Sequence, residues 1–362
     1  MTTKESLYRN LQKHLDKQPI GFPATASGSD IRLLKHFFSP NEAKVLLKLS
    51  FRDKSIEEIH ELMRNDDISI KKLKNVLDKM VSKGNIGWRE RDGINYYRII
   101  PLVIGLDESK VYDLSAEYLN LLFEYMIESR FPLKLVTSNV PQLRTIPVEQ
   151  SITPQHYINN YDKLKSLIEN MEGPFVVLDC ICKKTAALRG EKCKMTERLE
   201  TCFVFGDIAK TWLTRGLGRQ ISKAETLELL RKGEEEGLIL QSSNSQKPEF
   251  ICCCCGCCCG ILSMQKLIPN PVKFWSSSYY AEIDKELCNG CKTCIERCQV
   301  DAIRIIKSKN HADINLNRCI GCGNCVITCP TQAIHLVRKK DEKIPPEDYI
   351  ELYEEIMKSE NK

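Results

Sequence analysis

Cys288-x2-Cys291-x2-Cys294-x3-Cys298 and Cys319-x2-Cys322-x2-Cys325-x3-Cys329-Pro330 are the stretches that decide how this 362-residue chain is read. Three cysteines set close on one tight loop hold three irons of a cube, and a fourth cysteine from elsewhere completes the ligand set. The runs are copies of each other. A shift of 31 positions carries 288 onto 319 and each following cysteine onto its counterpart, and it also carries Ala302-Ile303 onto Ala333-Ile334. Zinc sites with four cysteines share the C-x2-C spacing, but eight cysteines in this duplicated order point to paired iron–sulfur centres.

The pattern resembles the bacterial two-cluster ferredoxin over about residues 279–340. That resemblance implies two [4Fe–4S] clusters whose fourth ligands cross between the runs. One cluster then takes Cys288, Cys291, Cys294 and Cys329, and the other takes Cys319, Cys322, Cys325 and Cys298. The first run departs from the family pattern at Gln299, which stands where Pro330 follows the second run. A proline there shapes backbone and supplies no ligand, so the departure bears on local geometry.

Composition fits a reducing compartment. Nineteen cysteines would suggest a disulfide scaffold in a short secreted chain, but this chain is long and opens with the polar, charged stretch Met1 to Lys17. No signal-peptide pattern is visible, and apolar runs such as Phe175 to Leu178 fall far short of the roughly 20 residues a membrane helix needs. A soluble cytoplasmic protein without a membrane segment is expected. The formal charge of +5 counts thiols as neutral, and each four-thiolate cubane brings about −2. Net charge therefore selects no partner.

Residues 30–113 read as a separate unit. Ser39-Pro40 opens a helix over Asn41 to Leu49, Ser55-x-x-Glu58 is a capping box for a helix to Met63, and Ser69 starts a third that Gly84 ends. In the third, Leu73, Val76, Leu77 and Met80 share one face. Strand-like runs Ile86 to Arg89 and Tyr96 to Ile100 flank a turn at Asp92-Gly93. The order resembles a winged helix over about residues 30–105, which implies possible DNA binding through Lys71, Lys72, Lys74, Lys79 and Lys83 of the third helix and Arg89, Arg91 and Arg98 of the hairpin. Acidic residues Glu57, Glu58, Glu61 and Asp78 weigh against it, and a protein-docking or structural role is the competing expectation.

Residues 114–275 form a cysteine-rich segment of mixed helix and strand. Helices are expected over Ser115 to Glu128, near Tyr161 to Met171, and from the Ser222-x-x-Glu225 capping box to Glu236. Phe175 to Cys182 reads as a strand that delivers Cys180 and Cys182 on one side, because alternate residues of a strand share a face. Cys193 and Cys202 follow, and later comes the run Cys252, Cys253, Cys254, Cys255, Gly256, Cys257, Cys258, Cys259. Neighbouring residues point to opposite sides, so the run cannot face one metal unless Gly256 and Gly260 let the chain coil. Two arrangements stay open: Cys180, Cys182, Cys193 and Cys202 close one site and the run another, or the two groups interleave. At least one further iron–sulfur centre is expected here, with a four-cysteine zinc site plus spare buried thiols as the alternative. Pro269 to Ser278 reads as a linker.

The chain is thus expected to be an α+β multidomain protein: an N-terminal segment 1–29, a winged-helix-like domain 30–113, a Cys-rich central domain 114–275, a ferredoxin-like dicluster domain 276–340 and an acidic helix 341–362. In that last segment Tyr349, Leu352, Tyr353 and Ile356 recur at helical spacing. The whole resembles an iron–sulfur family of anaerobic bacteria and archaea with the same three parts. No G-x-G-x-x-G or P-loop motif occurs, Gly216-x-Gly218 lacks a third glycine, and the six histidines are scattered. Electron transfer to or from a redox protein partner is the expected function, as a component of an oxidoreductase system more than a stand-alone enzyme. A redox-responsive winged-helix regulator binding nucleic acid is the alternative. Oligomeric state is not legible.

Overall fold

The computed structural model describes residues 3–152, 160–306, 308 and 310–360. The first helices are α1 (Thr3–Asp16), α2 (Ser29–Phe37) and α3 (Pro40–Leu46). Strand β1 (Lys54–Ser55), helices α4 (Ile56–Leu62) and α5 (Ile70–Lys83), and strands β2 (Gly87–Arg91) and β3 (Ile94–Arg98) follow. Capping chemistry sets the boundaries. Ser39 and Ser55 each accept the N–H three residues on while Glu42 and Glu58 reach back to the cap, and Gly84 ends α5 at φ 71°. Leu73, Leu77 and Met80 are fully buried from one face of α5, which is the apolar stripe of its sequence. The strands order as β1-β3-β2.

Helices α6 (Ala116–Ser129) and α7 (Phe131–Val136) pack into this same core through Tyr118, Leu122, Tyr125 and Phe131. Next come β4 (Leu143–Ile146), α8 (Leu164–Asn170), β5 (Phe175–Asp179), α9 (Ile181–Leu188), β6 (Glu200–Phe205) and α10 (Gly206–Thr214). They lead to β7 (Arg219–Ile221), α11 (Lys223–Glu235), β8 (Ile239–Ser243), β9 (Phe250–Cys254) and α12 (Gly260–Leu267). Six strands form one sheet ordered β4-β8-β9-β6-β5-β7, antiparallel at every pairing. Leu164, Leu167 and Leu230 cover one face, and Ile181, Ala209 and Trp212 cover the other. Period-two alternation along these strands therefore sends adjacent side chains into different cores.

The C-terminal part contains β10 (Tyr279–Ile283), α13 (Thr293–Arg297), β11 (Ile303–Ile306), β12 (His311–Ile314), β13 (Ile334–Arg338) and α14 (Tyr349–Glu360). The sequence repeat is visible in the pairing: β10 pairs with β13, and their counterparts β12 and β11 pair with each other. Helix α14 returns to the N-terminal core, burying Leu352 and Ile356 there. Pro269 to Ser278 is not the loose linker its composition suggests. Trp275 is buried with its indole N–H on Thr145 Oγ1 at 2.7 Å, and Ser278 joins the buried ion pair of Arg144 and Asp162.

Among the described residues no helix is long and apolar enough to cross a membrane. The hairpin arginines expected to face outward are mostly consumed inside. Arg89 and Arg98 are 4% and 5% exposed, and both pair with Asp53. Arg89 also meets Asp207, Arg98 meets Glu249, and both stack on the Tyr349 ring. Bound charges so deeply desolvated hold the hairpin, the central sheet and α14 together and are unavailable to phosphates.

Candidate metal centres

The central cysteines separate into two groups, and the sheet does the sorting. Phe175 to Cys182 is not one strand: β5 stops at Asp179, Cys180 caps α9, and Cys182 lies in its first turn. On β9, Cys252 and Cys254 face one way while Cys253 faces the core under Leu230. Gly256 then turns the chain, returning Cys257 and Cys258 to the Cys255 side and Cys259 to the other. Of the two arrangements left open by spacing, the interleaved one is found.

The first group is compact. Cys193, Cys255, Cys257 and Cys258 place all four sulfurs within 4.8 Å of one another, with Cys193 at 3.6 Å from Cys255 and 3.9 Å from Cys257, and Cys257 at 3.8 Å from Cys258. A tetrahedral ion with metal–sulfur bonds of about 2.3 Å needs sulfurs roughly 3.8 Å apart, so this cage fits one four-thiolate ion. Burial pushes the Cys255 thiol up to about 12. Cys257 is held below the ordinary thiol range: burial opposes this, but the Lys194 N–H and three neighbouring thiols outweigh it. A cage with one thiolate ready suits metal capture.

The second group is a closed ring of contacts. Cys180 hydrogen-bonds side chain to side chain with Cys182 and Cys202, Cys202 with Cys252, Cys252 with Cys254, Cys254 with Cys259, and Cys259 with Cys182. The β6–β9 register sets Cys202 directly opposite Cys252. Cys180 is held well below the usual thiol range because Cys182 and Cys202 both hydrogen-bond to it. Cys253 belongs to neither group. It packs beneath Gly233, where a Cβ would lie 2.9 Å from its sulfur, and burial pushes its thiol up to about 12. It reads as a packed thiol.

In the C-terminal part both loops present their sulfurs in the crossed arrangement. Cys294 has Cys288, Cys291 and Cys329 as thiol neighbours, while Cys325 has Cys322, Cys319 and Cys298 ahead of Cys294. The repeat extends to the backbone: Ala281 N–H donates to Cys319 Sγ at 3.3 Å and Ala312 N–H to Cys288 Sγ at 3.4 Å. At the equivalent glycines Gly290 and Gly321 a Cβ would lie 2.6 and 2.1 Å from the carbonyls of Asn310 and Tyr279, so only glycine fits. Residues 280–330 match the 4Fe-4S dicluster domain. The donor set suits that cofactor, since eight thiols stand in two groups of four with N–H donors aimed at sulfur. No curated protein and no solved structure matches the chain.

The dicluster domain is oriented by its neighbours. Cys319 and Cys325 are buried, whereas Cys291 is exposed and held below the ordinary thiol range by the Thr293 hydroxyl and N–H. The buried loop sits against the central segment: Asn324 donates to the carbonyls of Gly237 and Leu238, and Val148 N–H donates to the Cys322 carbonyl, while Arg297 at the end of the first run donates to the Glu234 carbonyl. Gln299 reaches the cysteine-rich turn at Gly256. Sequence reasoning missed the polar residues around the ring, Gln241 and Lys183. Gln241 comes from β8, which carries none of the thiols, and Lys183 follows Cys182 directly on α9; no metal-ligand spacing rule includes either.

Proposed function

We propose that the chain is a multi-cluster iron–sulfur electron-transfer protein relaying low-potential electrons to or from a partner oxidoreductase. Bound clusters of this type carry single electrons. The observation that carries the reading is the polarity of the dicluster domain: Cys291 is exposed, while Cys319 and Cys325 are buried beside the central segment, where ten more thiols stand in two groups. An exposed loop suits docking by a redox partner, and the buried one suits passage inward. The cage of Cys193, Cys255, Cys257 and Cys258 takes a single tetrahedral ion, zinc or iron, and zinc there would add rigidity alone. We read α3 to β3 as a winged helix serving as an adaptor. Its exposed Lys71, Lys72, Lys74 and Lys79 remain, but two of its three hairpin arginines are buried, which removes most of the support for a DNA-binding regulator.

The test is anaerobic purification of the full chain, metal and sulfide analysis, and EPR during stepwise reduction. About eight irons attributable to the dicluster domain, with signals that appear in one-electron steps, are expected. A protein that binds only zinc, or whose clusters cannot be reduced, would overturn the reading.

A further inference from the structure

Six thiols in a closed ring exceed what either known kind of four-thiolate site uses. Four chain segments build it: the end of β5 with the start of α9 (Cys180, Cys182), β6 (Cys202), β9 (Cys252, Cys254) and the start of α12 (Cys259). Cys180 and Cys259 are buried and the other four half-buried. Opposite members of a six-sulfur ring stand roughly twice as far apart as neighbours in a thiolate tetrahedron, too far for one ion to bridge. Accordingly, the compact cage is the group of thiols that gathers within 4.8 Å among the described residues, and the ring is wider.

The surroundings of the ring are those of a built anionic site. Gln241 is wholly buried, lies opposite Cys252 in the β8–β9 register, and aims its amide N–H at Cys259 Sγ at 4.0 Å. Lys183 is 4% exposed, one helix position beyond Cys182, and its ammonium is anchored at 3.1 Å to both the Arg198 carbonyl and Thr201 Oγ1. The Lys183 charge lies near enough to favour the Cys180 thiolate, and the Gln241 N–H points at Cys259, so both offset negative charge on the ring. Ordinary packing of apolar thiols calls for neither.

We propose that these six cysteines together hold one polynuclear iron–sulfur cluster, distinct from the four-thiol cage and from the two clusters of the dicluster domain. Assembly from ferrous iron and hydrosulfide replaces each thiol S–H and each hydrosulfide S–H by iron–sulfur bonds and releases one proton per cysteine and one per hydrosulfide, with no change of oxidation state required. Six protein ligands are more than a cubane accepts, so the cluster is not a third ferredoxin-type cube. Its position, bordering the core that contains Cys294, Cys319 and Cys325 through Cys254 and Cys259, places it in line with the dicluster domain.

The test uses the full chain loaded anaerobically with iron and sulfide. Serine variants at each of the six positions are expected to alter one and the same Mössbauer and EPR species and to lower acid-labile sulfide, with the dicluster signals unchanged. Cys257→Ser, in the cage, and Cys253→Ser, on the opposite face of β9, are expected to leave that species intact. Two or more silent positions among the six would mean a four-ligand cube, and loss of zinc without loss of sulfide would mean a structural site; either overturns the proposal. Should ring variants fail to fold, the wild-type protein decides: iron must exceed the about eight of the dicluster domain plus one ion in the cage, and a total at or below that sum refutes it.

Discussion

Gln299 Oε1 accepts the Gly256 N–H at 2.9 Å, and a Cβ at Gly256 would lie 2.2 Å from the Gln299 carbonyl oxygen. The residue that breaks the dicluster repeat is therefore the one that joins the first cysteine run to the cysteine-rich turn. Its amide nitrogen also donates to Met195 Sδ at 3.2 Å. A proline at 299 would suit the cysteine loop, as Pro330 does in the second run, but would sever this contact.

Gln299→Pro is accordingly expected to keep both dicluster EPR signals while slowing electron exchange between that domain and the central centres. Freeze-quench EPR after rapid reduction checks this. Gly256→Ala, which has no room, is expected to lower stability by about 1–3 kcal/mol, read from anaerobic thermal unfolding. Unchanged kinetics in the first variant would show that the contact only docks.

Arg144 and Asp162 form an ion pair at 2.5 Å that is 2% and 0% exposed. Ser278 bonds to both partners, and the Tyr161 carbonyl accepts from Arg144. Removing one partner strands the other, so Asp162→Ala is expected to cost about 3–5 kcal/mol. Denaturant unfolding measures it, and a cost below 1 kcal/mol would show that the guanidinium finds another partner.

Leu352 and Ile356 are each 1% exposed where α14 meets the N-terminal core. Alanine at either position is expected to destabilise by about 2–5 kcal/mol while leaving iron content unchanged. Partner docking by this stripe would require the helix to detach. Hydrogen exchange at α14 as slow as the core would exclude that.

Burial pushes the Glu234 carboxyl up to about 7, with the Glu149 N–H only partly opposing it. A folded-state value above the ordinary 4.5 means that this contribution to stability is complete below 4.5 and is lost as pH rises through about 7. Between pH 6 and pH 8 the wild type should lose about 1 kcal/mol relative to Glu234→Gln. Thermal unfolding of both proteins across that window tests it, and parallel curves would rule out Glu234 as the group responsible.

Local chemistry made much of this molecule legible in advance. Capping serines at 39, 55, 69, 115 and 222 start helices because their side chains satisfy backbone N–H groups only a few residues away. The dicluster loops are equally local, since three of every four thiols lie within one turn of chain. The failures are long-range. Nothing near Arg89 or Arg98 in sequence announces Asp53, Asp207, Glu249 and Tyr349, so two arginines suited to a phosphate surface were expected outside and are buried.

The cysteine run shows the same division most clearly. Its sequence by itself showed that seven thiols in extended chain cannot share one metal, because alternate residues point to opposite faces, unless Gly256 and Gly260 let the chain coil. It did not determine which partners each face would meet. That was decided by the antiparallel register of β6 on β9, which sets Cys202 against Cys252, and by the end of β5, which turns Cys180 and Cys182 into a helix start. Register is a property of strands already paired, held by hydrogen bonds between segments far apart in the chain, so the four-thiol cage and the six-thiol ring exist only once the sheet has formed.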